Sequence, residues 1–333
     1  MNTFGSAFKI EIFGESHGKV IGIVLDGVPA GLSISPDDFT EDMGRRHVGG
    51  QGTTARREED RVNILSGVFN GYTTGTPLAL IVYNQQADSA VYDKQVDTPR
   101  PGHADYTAKI KYGGFQDYRG GGHFSGRVTV ALIMAGVVAK KMIAPVSAKS
   151  YILNVGGENP WEEKLAAAIE AGDSLGGVVE CTVNGLPAGV GEPFFNSLES
   201  LISHIIFSIP GIRGIEFGDG FQVACMMGSE HNDPIISADG ATSKNGSGGI
   251  NGGISNGNDI VFRVAIKPTS SISASQRSYN FRSNTIEEMR TEGRHDTCFA
   301  LRTPVIIEAA ATIAIADLLY PASTPSINPC IHL

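Results

Sequence analysis

Only four cysteines occur in the 333 residues, Cys181, Cys225, Cys298 and Cys330, and none forms a C-x-x-C pair. Their spacing offers neither a zinc site nor a disulfide framework and suits a reducing compartment. Positive charge is scarce, with 26 lysines and arginines against 35 acids and a net charge of -9. This disfavours sequence-independent binding to nucleic acid or to anionic membranes, both of which need broad basic surfaces. The longest apolar stretch, Val128 to Ala139, falls short of the ~20 residues of a membrane span and reads as a buried helix. Met1 to Phe8 carries no basic region followed by an apolar run, so no secretory signal is expected. A cytoplasmic protein without metal, membrane or nucleic-acid partners is the resulting expectation. No G-x-G-x-x-G follows the first strand pattern, and no G-K-[ST] follows the glycine cluster at 120–122.

What is present suits a layered core around an internal anion site. The hydrophobic fraction is 41%, ample for one continuous core. Eight of the fifteen arginines lie between Arg45 and Arg127, gathering positive charge into one stretch of an acidic chain. Phe8, Ile10 and Ile12 alternate with polar residues into Gly14-Glu15-Ser16-His17-Gly18, which predicts a strand ending in a glycine loop. Further strands are predicted at 20–25, 62–68, 78–82, 177–183, 212–217 and 259–266. Ser35-Pro36-Asp37-Asp38 is a helix start leading to Arg45-Arg46. Helices are predicted at 125–142, 161–171, 198–206 and 305–319. Mixed short strands and long apolar helices indicate an α+β fold.

Residues 84–107 have no clear period, the mark of a functional or a disordered loop. Residues 239–257, rich in Gly, Ser and Asn, read as a flexible linker or as backbone wrapped around a ligand. Leu25-Asp26-Gly27-Val28-Pro29-Ala30-Gly31 resembles Val183-Asn184-Gly185-Leu186-Pro187-Ala188-Gly189, which leaves a duplicated half and chance both open.

Four loops hold residues suited to acid–base and anion chemistry. His17 in its glycine loop is either a proton donor or a locally bonded loop histidine. Arg100-Pro101-Gly102-His103-Ala104-Asp105 offers an anion site with a proton donor, or a salt bridge between Arg100 and Asp105. Arg119-Gly120-Gly121-Gly122 with Ser125-Gly126-Arg127 opens the long apolar helix and could present amides to a phosphate. Arg294-His295-Asp296 precedes the last helix as a further site or a surface charge cluster.

Taken together and in this order, the segments resemble the chorismate synthase family: GESHG at Gly14 to Gly18, RPGHAD at Arg100 to Asp105, RGGG at Arg119 to Gly122 and RHD at Arg294 to Asp296. Gly248-Gly249-Ile250, Gly252-Gly253-Ile254 and Lys267-Pro268-Thr269-Ser270-Ser271 add to the match, which runs from about residue 5 to 320. The resemblance implies a single domain over 1–333, built as a β-α-β sandwich with antiparallel sheets enclosing helices, and a homotetramer. It implies an anti-1,4-elimination of phosphate and a ring proton from 5-enolpyruvylshikimate 3-phosphate, with reduced FMN and no net redox change. His17, His103, Asp296 and Ser16 would be catalytic: His17 protonating the departing phosphate, His103 keeping the reduced flavin in its proper protonation state, Asp296 assisting proton movement at flavin N5. FMN contacts would come from His123, Phe124 and Ser125, from Pro210, Gly211 and Gly252, from Lys267, Pro268, Thr269, Ser270 and Ser271, and from Arg294. Substrate would be held by Arg45, Arg46, Arg100 and Arg127. NADPH would enter only in a bifunctional enzyme, at Arg45 and Gln51.

The chain departs from the family pattern at three places. His123 follows RGGG where arginine is usual, His47-Val48-Gly49 replaces R-P-G, and Gln51 stands where some members carry an NADPH-contacting arginine.

Overall fold

A computed structural model describes residues 2–47, 49–53, 59–85, 90–93, 96–293 and 295–320. In chain order the first part holds β1 (Thr3–Phe4), β2 (Lys9–Gly14), β3 (Val20–Asp26), α1 (Thr40–Arg46), β4 (Asn63–Ser66), the hairpin β5 (Val68–Phe69) and β6 (Tyr72–Thr73), β7 (Leu78–Tyr83), α2 (Ala90–Asp93), α3 (Asp105–Lys111) and α4 (Val130–Met142). The second part holds β8 (Ser147–Val155), α5 (Glu162–Glu170), β9 (Gly177–Asn184), α6 (Leu198–Ile206), β10 (Ile212–Phe217), α7 (Gly228–His231), the hairpin β11 (Ile250–Asn251) and β12 (Ile254–Ser255), β13 (Ile260–Ile266), the ribbon β14 (Gln276–Asn280) and β15 (Thr285–Met289), and α8 (Pro304–Leu319).

The strands form two main antiparallel sheets, ordered β1-β2-β3-β7-β4 and β8-β9-β13-β10. Between them lie α4, packed on β3, and α8, packed on β8 and β9, with the two helices against each other. A helix apolar on every side must be buried on every side, and α4 and α8 obey: Val130 to Ala139 and Val305 to Asp317 are buried throughout. Their axes approach at Gly136, where an added Cβ would lie 2.3 Å from Ala309 Cβ. The layers are therefore sheet, helix, helix, sheet: the α+β class that the strand and helix pattern predicts and the β-α-β sandwich that the resemblance implies.

The internal sequence echo marks a structural repeat. Removing β1, both sheets have one topology, since β2-β3-β7-β4 matches β8-β9-β13-β10 element for element. The two turns are pinned alike. Gly31 N donates to Thr73 O at 2.8 Å, as Gly189 N does to Ser255 O at 2.9 Å. The Thr73 hydroxyl donates to Pro29 O at 2.5 Å and accepts from Leu32 N, while the Ser255 hydroxyl donates to Pro187 O at 2.6 Å and accepts from Val190 N. Each half thus uses one hydroxyl on a two-residue strand to hold the turn leading out of its second long strand.

Segment 239–257 is not a free linker. Gly246 N and Ser247 N both donate to Asp233 at 2.8 Å, Asn245 donates to Asp259 O at 2.7 Å, and the β11–β12 hairpin closes the turn of the second half. Besides the two-residue strands, two strand regions fall outside the sequence expectation. Strand β8 is a sheet edge with alternate residues exposed, and β14–β15 buries little, so neither carries a strong apolar period. The ribbon nevertheless braces the site: Ser278 donates to Pro99 O at 2.5 Å, Phe281 N to Asp97 O at 2.9 Å, and Phe281 stacks on Tyr106.

Candidate active site

Strand β2 ends at Gly14, and the turn that follows projects Ser16 and His17 from the sheet. Ser16 N donates to Gly122 O at 3.0 Å, and the Asn84 amide holds the turn through Glu15 O and Gly18 O at 3.1 and 2.9 Å. The glycine run explains why the histidines meet here. An added Cβ on Gly120 would lie 2.4 Å from His17 Cδ2, and one on Gly121 would lie 3.3 Å from the His103 ring. Both glycines also have positive φ, +60° and +82°, which L side chains resist. Two imidazoles therefore rest on successive residues of bare backbone. The Gly121 N–H is engaged by Tyr118 O at 3.2 Å, so the run serves close approach more directly than it serves as a phosphate cradle.

His103 is oriented by a buried ion pair. Arg100 forks onto Asp105, Nε to Oδ2 at 2.7 Å and Nη2 to Oδ1 at 2.8 Å, and donates from Nη1 to Ser271 at 2.9 Å. His103 Nδ1 lies 2.7 Å from Asp105 Oδ1. The same nitrogen lies 3.1 Å from Arg100 Nη2, so the Arg100–Asp105 pair fixes the ring by its Nδ1 edge and turns the other edge toward Gly121. Burial pushes Asp105 up, but Arg100 and His103 together outweigh it and hold the carboxyl well below the usual range. The sequence alternatives of salt bridge and site are both realised in this one cluster. Tyr92 of α2 stands edge-on to His17, with ring centroids 5.3 Å apart, and lies beneath the Arg100 guanidinium.

The cations converge from three elements. Arg46 ends α1, Arg127 enters α4, and Arg302 precedes α8; Arg302 donates to Asp296 Oδ1 at 2.9 Å. Arg46 and Arg127 meet at Asp60, whose side chain is fully buried. Among the described residues, Arg46 Nε and both terminal nitrogens of Arg127 are buried without an aligned hydrogen-bond acceptor. Buried donors without acceptors are costly, so this corner is built to receive an anion.

The second half closes the cavity. Pro210, Gly211 and the run Lys267 to Ser271 face His123, Phe124 and Ser125 across a volume of about 910 Å³, near the upper end of the ~300–1,000 Å³ of small-molecule sites. Lys267 donates to Gly102 O at 2.6 Å, tying this run to the His103 loop, and burial lowers its pKa. His123 sits 2.7 Å from Gly14 O through Nδ1 and 3.3 Å from Asn2 through Nε2. Phe124, Phe299 and Ile209 supply apolar wall for a planar ring system, and the Thr269 hydroxyl is buried without a partner among the described residues. These groups fit a flavin: apolar faces beside orphan polar atoms and lysine.

Three expected positions stand apart from this cavity. Arg45 points to the opposite side of α1 and forks onto buried Glu308 at 2.7 Å for each contact; it is a structural ion pair where a substrate or NADPH contact was expected. Gln51 is exposed in a turn and Gly252 lies at the tip of the β11–β12 hairpin, and neither lines the cavity. Arg294 lies outside the described residues. Ser16, His17, Arg46, Arg100, His103, Arg127 and Asp296 all line the cavity. Among the described residues no group of three or more His, Cys, Asp or Glu is placed to hold a metal. Sequence reading passed over Asp60, Asn84, Tyr92 and Arg302, which stand in no glycine-bearing motif.

Two half-buried histidines are expected to give the fold a pH dependence. Burial lowers the pKa of His103, against the opposing pull of Asp105, and burial followed by the charge of Arg100 lowers that of His295. Both then bind protons more readily in the unfolded chain, so their contribution is present above the unfolded value near 6.5 and is lost as pH falls below it. Urea midpoints are expected to fall from pH 7.5 to 5.5, and to fall less in His295→Gln. Equal declines in both proteins would remove His295 from the effect.

The chain matches the chorismate synthase family over residues 8–320. The chain belongs to that family. A chorismate synthase of Chitinophaga pinensis is 53% identical over 96% of each chain, and one of Dehalococcoides mccartyi is 44% identical over 96% of this chain and 97% of its own. A chorismate synthase of the archaeon Korarchaeum cryptofilum is 44% identical, over 94% and 96%. A crystal structure of chorismate synthase superposes with a TM-score of 0.73 at 25% identity, covering 95% of this chain and 92% of that one. Membership of the chorismate synthase family makes the chain a carbon–oxygen lyase acting on phosphates.

Proposed function

We propose that the cavity catalyses the anti-1,4-elimination of phosphate from 5-enolpyruvylshikimate 3-phosphate to give chorismate, in the shikimate route to aromatic amino acids. One observation carries the reading: two imidazoles rest on Gly120 and Gly121 at the wall of a cavity where Arg46 and Arg127 present buried nitrogens without an aligned acceptor among the described residues. The substrate is a phosphate ester with two carboxylates, and charged hydrogen bonds worth roughly 1.5–3 kcal/mol each are what desolvating such a polyanion requires.

In this reading Arg46, Arg127 and Arg100 bind the anionic groups, and His17, with Ser16 beside it, gives a proton to the departing phosphate oxygen. The C–O bond breaks, a ring proton leaves and a double bond forms, so the elements of phosphoric acid are lost with no change in oxidation state. Reduced FMN, when bound, lends electron density transiently to the substrate and is returned unchanged. Lys267, Thr269, Ser271 and Ser125 would hold the flavin, Phe124 and Phe299 would exclude water from its ring, and His123 and Pro210–Gly211 would border it. His103, fixed by Asp105 and Arg100, would set the protonation state of a bound flavin, and Asp296, held by Arg302, would be a proton carrier beside it. Gln51 offers no fixed charge to a nucleotide 2′-phosphate, and Arg45 is committed to Glu308; both support an external source of reduced flavin over a built-in NADPH-dependent one.

One cytoplasmic domain assembled as a homotetramer completes the proposal. Exposed Phe221, Met227, Ile235 and Ile236 cluster in one stretch of the second half, and such apolar surface suits subunit contacts. Anaerobic incubation with the substrate and dithionite-reduced FMN is expected to yield chorismate absorbance and one phosphate per product without consuming reductant. NADPH alone is expected not to sustain turnover. Reductant spent in proportion to product would replace the elimination with a net redox reaction, and a monomer mass by light scattering would remove the tetramer.

A further inference from the structure

Asp60 is a carboxylate set behind the cationic corner, and the reaction gives it nothing to do. It is reached from three directions: Arg127 Nη1 lies 2.5 Å from Oδ1, Arg46 Nη1 lies 3.6 Å from Oδ2, and His47 Nε2 lies 2.8 Å from Oδ2. Its side chain and those of both arginines are almost wholly buried. Its backbone takes a positive φ of 46°, a conformation uncommon outside glycine though tolerated by aspartate. Burial pushes its pKa up, but His47, Arg127 and Arg46 overcome this and bring it to about 2, so it is ionised at neutral pH.

Two guanidinium groups side by side repel each other, and burial with the Arg127 charge lowers Arg46 to about 10. Without an anion between them they would swing apart or draw in solvent. Asp60 supplies that anion while leaving the far nitrogens unsatisfied: Arg46 Nε and Arg127 Nη2 have no acceptor among the described residues. Arg127 is also steered by Asn84, which accepts from its Nε at 3.1 Å, and Arg46 by Gly126 O at 3.4 Å. Each arginine is thus held on one side and open on the other.

We propose that Asp60 is a positioning residue that pre-assembles Arg46 and Arg127 into one anion receptor before substrate arrives, with His47 locking its second oxygen. The inference rests on the reading that these two arginines bind substrate. It makes a prediction of definite sign. Deleting a negative charge beside an anion site strengthens anion binding through space; losing the alignment weakens it.

The test is Asp60→Asn, with Asp60→Glu as a second variant that keeps the charge but displaces the carboxylate by one methylene. Both are expected to raise KM for 5-enolpyruvylshikimate 3-phosphate roughly 10- to 100-fold, with kcat within a few-fold and the FMN dissociation constant unchanged. The rise in Tm on adding substrate should shrink, while the rise on adding FMN should not; a merely structural role lowers the starting Tm and leaves both increments alone. An unchanged or lowered KM in a folded variant overturns the proposal. If Asp60→Asn fails to fold, Asp60→Glu decides by the same readouts, and failure of both to fold makes Asp60 structural and overturns it too. Arg127→Ala separates this from the reading beneath it. If Arg127→Ala leaves KM and the substrate-induced Tm rise intact, the substrate assignment itself fails; if it abolishes them while the Asp60 variants do not, only the role of Asp60 fails.

Discussion

His17→Ala and His103→Ala are each expected to lower turnover by ~100- to 10,000-fold, the range for a lost acid–base group, with little change in stability. Neither ring belongs to the hydrophobic core. Both lie against glycine backbone that needs no side chain to hold it, because the run is fixed by its own bonds, among them Ser16 N to Gly122 O and Gly121 N to Tyr118 O. The two variants should differ in kind. Losing His17 removes the donor at the proposed leaving group, so kcat falls while substrate and flavin still bind. Losing His103 leaves Asp105 with Arg100 as its remaining ion-pair partner, so the loop keeps its shape and the defect is confined to chemistry on the flavin. Single-turnover phosphate release separates the cases. Near-wild-type turnover in either variant would remove that histidine from the mechanism.

The sequence announced these residues because glycine is conspicuous where side chains must approach backbone. His17, His103 and Arg127 each stand beside a glycine or a helix start, and local composition carried that signal. The long strands and helices were legible for a similar reason: β2 alternates, α8 is apolar on every face and opens at Thr303-Pro304. The seven-residue echo was legible as well, although only the matched hydroxyl bonds of Thr73 and Ser255 make it a repeat.

What stayed hidden has no local mark. Asp60 follows a run of charged residues that resembles any solvated segment, and only the convergence of α1 and the entry to α4 buries it. Strand β8 and the ribbon β14–β15 bury too little to alternate cleanly. Arg45 and Arg46 are adjacent and chemically identical, yet successive positions on a helix diverge by about 100°, so one faces the cavity and its neighbour faces α8. Motif matching cannot tell such a pair apart; helix phase can.

That divergence leads to the largest stability effect expected. Glu308 lies in the middle of α8, 2% exposed, and accepts from both terminal nitrogens of Arg45 at 2.7 Å, from Ser150 N at 2.8 Å and from Lys140 at 3.4 Å. Asp42 accepts from Arg45 at 3.1 Å and from Lys140 at 2.7 Å, so two cations and two anions balance where α1, α4, α8 and the edge strand β8 meet. The hydrogen bonds that Arg45 donates to Glu308 raise its pKa further above an already high value. Removing one member of a buried pair strands its partners, at a cost of about 3–5 kcal/mol. Glu308→Ala is expected to reach that range because it also leaves the Ser150 N–H unsatisfied. Glu308→Gln should lose less, since its carbonyl can still accept from Ser150. Arg45→Ala should cost less than Glu308→Ala, because Arg45 is 39% exposed and already screened by water. All three should leave KM for the substrate unchanged, since none of the side chains reaches the cavity. Urea denaturation beside steady-state kinetics decides it: an Arg45→Ala protein with normal stability and a raised KM would return Arg45 to the substrate site, and would mean that the side chain leaves Glu308 when substrate binds.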